Sequence, residues 1–113
     1  MNQEHQELWI DQIRKLSKPI RDAEYEILRC EADIKKLLAQ LKTIAMSEGH
    51  KTVASQEVYA ENNPELYKTR LRHAVSKANL SSLRVELKAL EVGFEEWRTK
   101  MVNRREEQKR YNA

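Results

Sequence analysis

Apolar side chains recur at a strict heptad spacing along the first part of the chain. From Trp9 to Ile44, steps of four and three residues alternate, and every position reached is apolar. Two apolar residues in seven form a narrow stripe, which one helix buries against another rather than in a broad core. The pattern therefore predicts a long helix of the coiled-coil kind. The positions of this first seam are Trp9, Ile13, Leu16, Ile20, Ala23, Ile27, Cys30, Ile34, Leu37, Leu41 and Ile44.

The first helix is predicted to span residues 3–48. Pro19 lies inside it and removes a backbone hydrogen bond. Leu16 and Ile20 nevertheless keep the apolar spacing across the proline, which favours a kink over a break. At the other end, Gly49 suits the left-handed residue that follows a helix.

A connector over residues 49–63 and a second long helix over residues 64–111 follow. Thr52 is predicted to cap a short helix within the connector. Asn63, Pro64 and Glu65 then form a strong start signal, since Asn caps, Pro suits the first helical position and Glu complements the helix dipole.

The second helix is predicted to change the phase of its apolar stripe near residue 80. Leu71, Ala74 and Ala78 form the early stripe, and a heptad seam follows. Such a shift locally alters supercoiling. Gly93 lies beside Phe94 in the late part and would permit a close approach of the facing helix. The late seam comprises Leu80, Leu83, Leu87, Leu90, Phe94, Trp97 and Met101.

Two long helices of similar length with a connector imply an all-α fold, a coiled-coil-like antiparallel hairpin forming a single domain over residues 1–113. Trp9 is then expected near Trp97 and Met101. Apolar residues outside the seams favour a second contact surface, hence a homodimer or higher-order helical bundle. The alternative is scattered surface apolars, which need no partner. These residues are Leu8, Ile10, Leu28, Leu38, Val75, Val85 and Val92.

Composition agrees with a slim helical protein in the cytoplasm. Charged residues make up 35% of the 113 residues, and only two are glycine. The polar first residues lack a leader-like apolar segment, and no apolar run reaches membrane-spanning length. Cys30 occupies a seam position, where a small buried hydrophobe is the favoured interpretation over a reactive thiol.

Basic residues concentrate in the second half of the chain. Residues 66–113 carry 12 Lys and Arg against 6 Asp and Glu, whereas residues 1–65 carry 9 against 12. A line of cations binds phosphates without reading bases. The same positions flank the seam, where ion pairs form, Glu31 with Arg84 for example, so both interpretations stay open. The heptad-spaced stripe is Arg70, Lys77, Arg84, Arg98 and Arg105, and Lys100, Arg104, Lys109 and Arg110 thicken it.

Signs of catalysis are lacking in the sequence. His5, His50 and His73 are far apart, so neither a metal site nor a cofactor is expected. No glycine-rich phosphate loop is present. Ser55 has no obvious His-and-carboxylate set beside it. The prediction is a protein that is not an enzyme.

Three segments resemble a known class: Glu48-Gly49-His50-Lys51-Thr52-Val53-Ala54, Asn63-Pro64-Glu65-Leu66-Tyr67 and Glu96-Trp97-Arg98-Thr99. Over residues 45–105 the chain resembles small helical-hairpin proteins of bacteriophages and prophages, often from early or recombination regions. The resemblance implies an accessory protein in the bacterial host cytoplasm. We expect it to associate with nucleic acid in recombination or replication. The alternative is an inhibitor or adaptor that captures a bacterial host or defence protein.

Overall fold

The computed structural model describes residues 2–112, and all regular structure in that range is α-helical. The helices are α1 (Asn2–Lys15), α2 (Ser17–Ser47), α3 (Val53–Glu61) and α4 (Pro64–Asn112). The predicted all-α class is confirmed. Contacts divide the chain into two compact units. We call residues 1–20 with 81–113 the terminal unit, and residues 21–80 the central unit.

Helices α1 and α2 are separated by one residue, Leu16, where the sequence predicts only a kink. Pro19 has no N–H to donate, and its ring crowds the carbonyl of Lys15 four residues earlier. The Leu16 N–H bonds the Ile13 carbonyl at 3.2 Å, and the Ile20 N–H bonds the Leu16 carbonyl at 3.0 Å. The Leu16 side chain stays buried, so the apolar seam continues through the interruption.

Helix α2 ends in a Schellman motif, which confirms the role predicted for Gly49. Its φ of +99° lies in the left-handed region, where glycine meets no steric penalty. The Gly49 N–H bonds the Met46 carbonyl at 3.2 Å, and the His50 N–H bonds the Ala45 carbonyl at 3.0 Å. These two bonds satisfy carbonyls that the end of the helix would otherwise leave unpaired.

Side-chain caps start the next two helices, as predicted. Thr52 Oγ1 accepts a 3.1 Å hydrogen bond from the Ser55 N–H at the start of α3. Asn63 Oδ1 accepts from the Glu65 N–H at 2.9 Å and the Leu66 N–H at 3.2 Å. Each cap satisfies amides that have no partner within their helix.

The central unit packs α3 against α2 and the start of α4. Leu41, Ala60 and Leu66 form its buried cluster, at 5%, 0% and 1% exposure. Leu38 packs against this cluster, so its assignment to a second contact surface is wrong. Ten of the eleven predicted first-seam positions are buried or half-buried, and Ile44 is the exposed one.

Helix α4 keeps one heptad register where the sequence predicts a phase change. Leu66, Thr69, His73, Ser76 and Leu80 are buried or half-buried, and they connect at steps of three and four to the predicted late seam. The prediction failed because polar side chains fill three seam positions, which an apolar pattern cannot detect. The residues predicted for the early stripe are all exposed: Leu71, Ala74 and Ala78.

Charged and polar side-chain contacts join α2 to α4 in the central unit. Arg72 Nη2 lies 3.4 Å from Glu26 Oε1 and 3.8 Å from Asp33 Oδ2. His73 Nε2 lies 3.1 Å from Glu31 Oε1. Arg84 was predicted to lie opposite Glu31. It lies eleven residues, about three turns of α4, beyond His73, which is the residue that contacts Glu31. Because α3 folds against α2 near Leu41, α4 begins beside the interior of α2 rather than its end.

In the terminal unit, aromatic side chains join α1 to α4. Trp9 lies against Gly93, as the close approach predicted there requires, and its ring centroid is 6.5 Å from that of Phe94. The α1 ring nearest Trp97 is that of His5, with the two centroids 6.3 Å apart. The alignment therefore differs by about one turn from the predicted placement of Trp9 beside Trp97 and Met101.

Candidate functional site

The last three turns of α4 lie beyond the apolar seam. Met101 is its last half-buried residue, and every residue of 102–112 is exposed. The next seam positions fall on Arg104, Gln108 and Tyr111. These polar or amphipathic side chains end the seam, because they gain little from burial against another helix.

Positive charge concentrates on this end of α4. Residues 98–112 carry six basic side chains against two acidic ones. All six are exposed, and five of them form no ion pair within residues 2–112. Unpaired exposed cations keep their full attraction for an anionic partner. The five are Lys100, Arg104, Arg105, Lys109 and Arg110.

A groove between α1 and α4 adjoins these cations in the terminal unit. Arg98 and Arg105 line it together with Phe94, Trp97 and Met101. The three apolar residues were predicted only as core, but they are half-buried and also border this groove. In the sequence, the groove is indicated by two seam aromatics, Phe94 and Trp97, that adjoin the most basic part of the chain.

Arg98 is held in place by two neighbours on its own helix. Its Nη1 donates to Glu95 Oε1 at 3.3 Å. Its guanidinium carbon lies 5.7 Å from the centroid of the Phe94 ring, within the range of a cation–π interaction. These contacts leave a planar cation oriented over an aromatic surface, an arrangement suited to an anion or a flat ring.

The rest of the predicted basic stripe is engaged differently. Arg70 Nη1 donates to Glu61 Oε2, which joins α4 to α3. Arg84 also interacts with another residue of the protein. Lys77 is exposed. The contacts of Arg70 and Arg84 support a structural role for this part of the stripe, whereas Arg98 and Arg105 adjoin the groove.

A hydrogen-bonded network orders the connector. His50 Nδ1 and Ser55 Oγ are 2.5 Å apart, so one histidine lies beside Ser55. Gln56 Nε2 donates to the His50 carbonyl at 3.0 Å, and the Tyr59 ring lies 5.3 Å from the imidazole. Burial, and next the Glu48 carboxylate, raise the pKa of Tyr59. The network ties the end of α2 to α3.

Cys30 lies at the centre of a polar contact between α2 and α4. Its side chain is fully buried. Its Sγ is 3.6 Å from Glu26 Oε1 and 3.9 Å from Arg72 Nη2. The Cys30 sulfur first, and then the Glu26 carboxylate, raise the pKa of Arg72. The guanidinium therefore bridges a thiol and two carboxylates across the helix pair.

Within residues 2–112, no group of three or more His, Cys, Asp or Glu side chains is arranged to hold a metal ion. No helix formed by these residues is both long enough and apolar enough to cross a lipid bilayer.

No protein-family model, curated protein or solved structure shows significant similarity to this chain. Function is therefore inferred from the residues and their geometry.

Proposed function

We propose that this protein is a non-enzymatic accessory protein of the phage type that associates with nucleic acid during recombination or replication. Its binding surface is the C-terminal basic surface, formed by Arg98, Lys100, Arg104, Arg105, Lys109 and Arg110. One observation carries the proposal. Arg98 and Arg105 border a groove that also contains Phe94 and Trp97, so phosphate-binding and base-stacking groups lie side by side.

The two kinds of group serve different parts of a nucleic acid. Arginine binds phosphate oxygens through two parallel hydrogen bonds. Aromatic rings stack on unpaired bases, at about 1–3 kcal/mol per base, whatever the base. A surface that combines them favours single-stranded nucleic acid and binds it with little sequence preference.

The exposed end of α4 supports the same proposal. Residues 102–112 are helical although each of them is exposed, so these turns continue α4 without the tertiary packing that provides most helix stability in proteins. Neutralisation of its charge by phosphates would stabilise this helix. Binding is thus expected to increase its order as well as hold the ligand.

The proposed architecture is an antiparallel helical hairpin that assembles with further copies of itself. Both units expose large apolar side chains, among them Leu8, Val75 and Val85, each more than half exposed. Association would cover part of this apolar area.

Fluorescence anisotropy with labelled single- and double-stranded DNA at several salt concentrations tests the proposal. Binding should weaken steeply with salt, because each neutralised phosphate releases counterions. Arg105→Gln should flatten the slope of log K against log salt by about 0.7 for single strands and about 0.9 for duplex. Lys36→Gln removes the same charge from an exposed position on α2 and should leave the slope unchanged.

Absence of binding to either DNA at low salt would refute the proposal, as would equal effects of the two substitutions. The alternative partner, a bacterial host or defence protein, predicts a different result. A pull-down from host lysate would then retain one stoichiometric protein after nuclease treatment, whereas the nucleic-acid proposal predicts that co-purifying partners are lost.

A further inference from the structure

Helix α4 carries a second heptad stripe on the side opposite its seam. Seven positions from residue 71 to residue 92 follow alternating steps of four and three, and six of them are apolar. They occupy the heptad positions that point away from the seam, which in a surface helix are normally charged or polar. This outer stripe comprises Leu71, Val75, Ala78, Ser82, Val85, Ala89 and Val92.

The outer stripe has no partner within the described chain. All seven residues are exposed, and Val75 and Val85 reach 61% and 67%. It contains Leu71 and Ala78, two of the residues that suggested a phase change in the seam. Helix α4 therefore carries two apolar stripes, the seam and the outer stripe, and only the seam is buried.

We propose that the outer stripe binds the same stripe of a second copy of this chain, with the two α4 helices antiparallel. This proposal rests on the self-association suggested above and is independent of nucleic-acid binding. In an antiparallel pair, the two kinds of heptad position face each other across the interface. An axis between residues 83 and 84 places Val75 against Val92 of the second copy, Ala78 against Ala89, and Ser82 against Val85.

The stripe is thus complementary to itself. Two-fold symmetry repeats each of these layers, so the interface contains Val–Val, Ala–Ala and Ser–Val contacts on both sides of the axis. Such self-complementarity is what an isologous dimer requires. The small side chains of Ala78, Ser82 and Ala89 allow the helix axes to come close, and the valines supply most of the buried apolar area.

The net charges along α4 favour the antiparallel orientation, and they do so although Arg70 and Arg72 also contact Glu61 and Glu26 of their own chain. Residues 64–80 carry four Lys and Arg against one Glu, a net charge of +3. Residues 85–96 carry four Glu against one Lys, a net charge of −3. Antiparallel pairing sets the basic part of each helix beside the acidic part of the other. Parallel pairing would oppose like charges along both parts, which suppresses that arrangement.

Sedimentation equilibrium of nuclease-treated protein tests the surface. Val85→Glu should raise the dimer dissociation constant about 100-fold, since it buries two charges beside the axis. Leu28→Glu is the matched control, because it makes the same change at an exposed residue of α2, 64% exposed. The helical circular dichroism of both variants should match that of the wild type, since neither side chain belongs to the core.

Three outcomes would overturn the proposal: a monomeric wild type, a Val85→Glu dimer of unchanged affinity, or equal weakening by Leu28→Glu. A monomeric wild type would refute self-association altogether while leaving the test with DNA untouched. A dimer that resists Val85→Glu would refute only the assignment of the surface.

Cross-linking with a short bismaleimide tests the orientation. Chains with Val75→Cys mixed with chains with Val92→Cys should give covalent heterodimers, whereas either variant alone should give none. Efficient cross-linking of Val92→Cys alone would establish parallel pairing and refute the antiparallel arrangement. The native Cys30 is fully buried and does not compete for the reagent in the folded protein.

Discussion

Gly93 has no Cβ, and this allows α1 and α4 to come into close contact at that residue. A Cβ placed there would lie 2.7 Å from Cη2 and 3.0 Å from Cζ3 of Trp9, closer than carbon atoms pack. Glycine in the interior of a helix costs about 1 kcal/mol relative to alanine. The contact with Trp9 gives a physical reason for a glycine in the middle of α4.

Substitution Gly93→Ala is therefore expected to have opposite effects in two backgrounds. In the wild type it should destabilise the protein by about 1 kcal/mol, because overpacking of about 1–3 kcal/mol exceeds the gain in helix propensity. In a Trp9→Ala background the clash is absent, and the same change should stabilise by about 0.5–1 kcal/mol. Urea unfolding of the four proteins measures both effects. Stabilisation of equal size in both backgrounds would show that Trp9 does not contact Gly93.

Among the elements, the predicted caps and helix ends came from residues whose local chemistry is specific. Asn63, Thr52 and Gly49 each act on amides or carbonyls within a few residues of themselves, so their roles are readable without the fold. The register of α4 was not readable in this way. His73 is half-buried in the seam and contacts Glu31 on another helix, and an apolar pattern does not reveal such a partner.

The predicted alignment of α2 with α4 was wrong for a related reason. It depends on where α3 packs, and that contact joins Leu41 to Ala60 and Leu66 across the connector. The basic residues show the same limit: their clustering is visible in the sequence, but whether Arg70 pairs internally depends on the position of Glu61.

Because the seam of α4 is continuous, a leucine placed at a seam position and a leucine placed at an exposed position should affect stability differently. His73→Leu should stabilise the protein by about 1 kcal/mol, because leucine buries more apolar area at this half-buried position and the Glu31 carboxylate, 54% exposed, remains solvated without its partner. Ala74→Leu, one residue further on and exposed, should change stability by less than about 0.5 kcal/mol. Thermal unfolding at low protein concentration compares them. A larger stabilisation by Ala74→Leu than by His73→Leu would instead support the predicted early stripe that includes Ala74.

At the scale of the whole molecule, few large side chains are fully buried among residues 2–112. Leu66 and Cys30 are the largest that are exposed by less than 2%. A core of this kind resists opening less than a broad one, since little apolar area is lost when helices separate. The proposed dimer would add burial along α4 that a single chain lacks.

Because the Cys30 thiol is buried, its reactivity reports how often α2 and α4 separate. Its thiol has no exposed surface, so an alkylating reagent reaches it only during the moments when α2 and α4 part. The ratio of its labelling rate to that of an unfolded-peptide thiol gives the fraction of time the central unit spends open. For a cooperative domain we expect protection of at least about 1,000-fold. Much weaker protection would mean that α2 and α4 separate locally without global unfolding, and that the Cys30 thiol is open to oxidation during those openings.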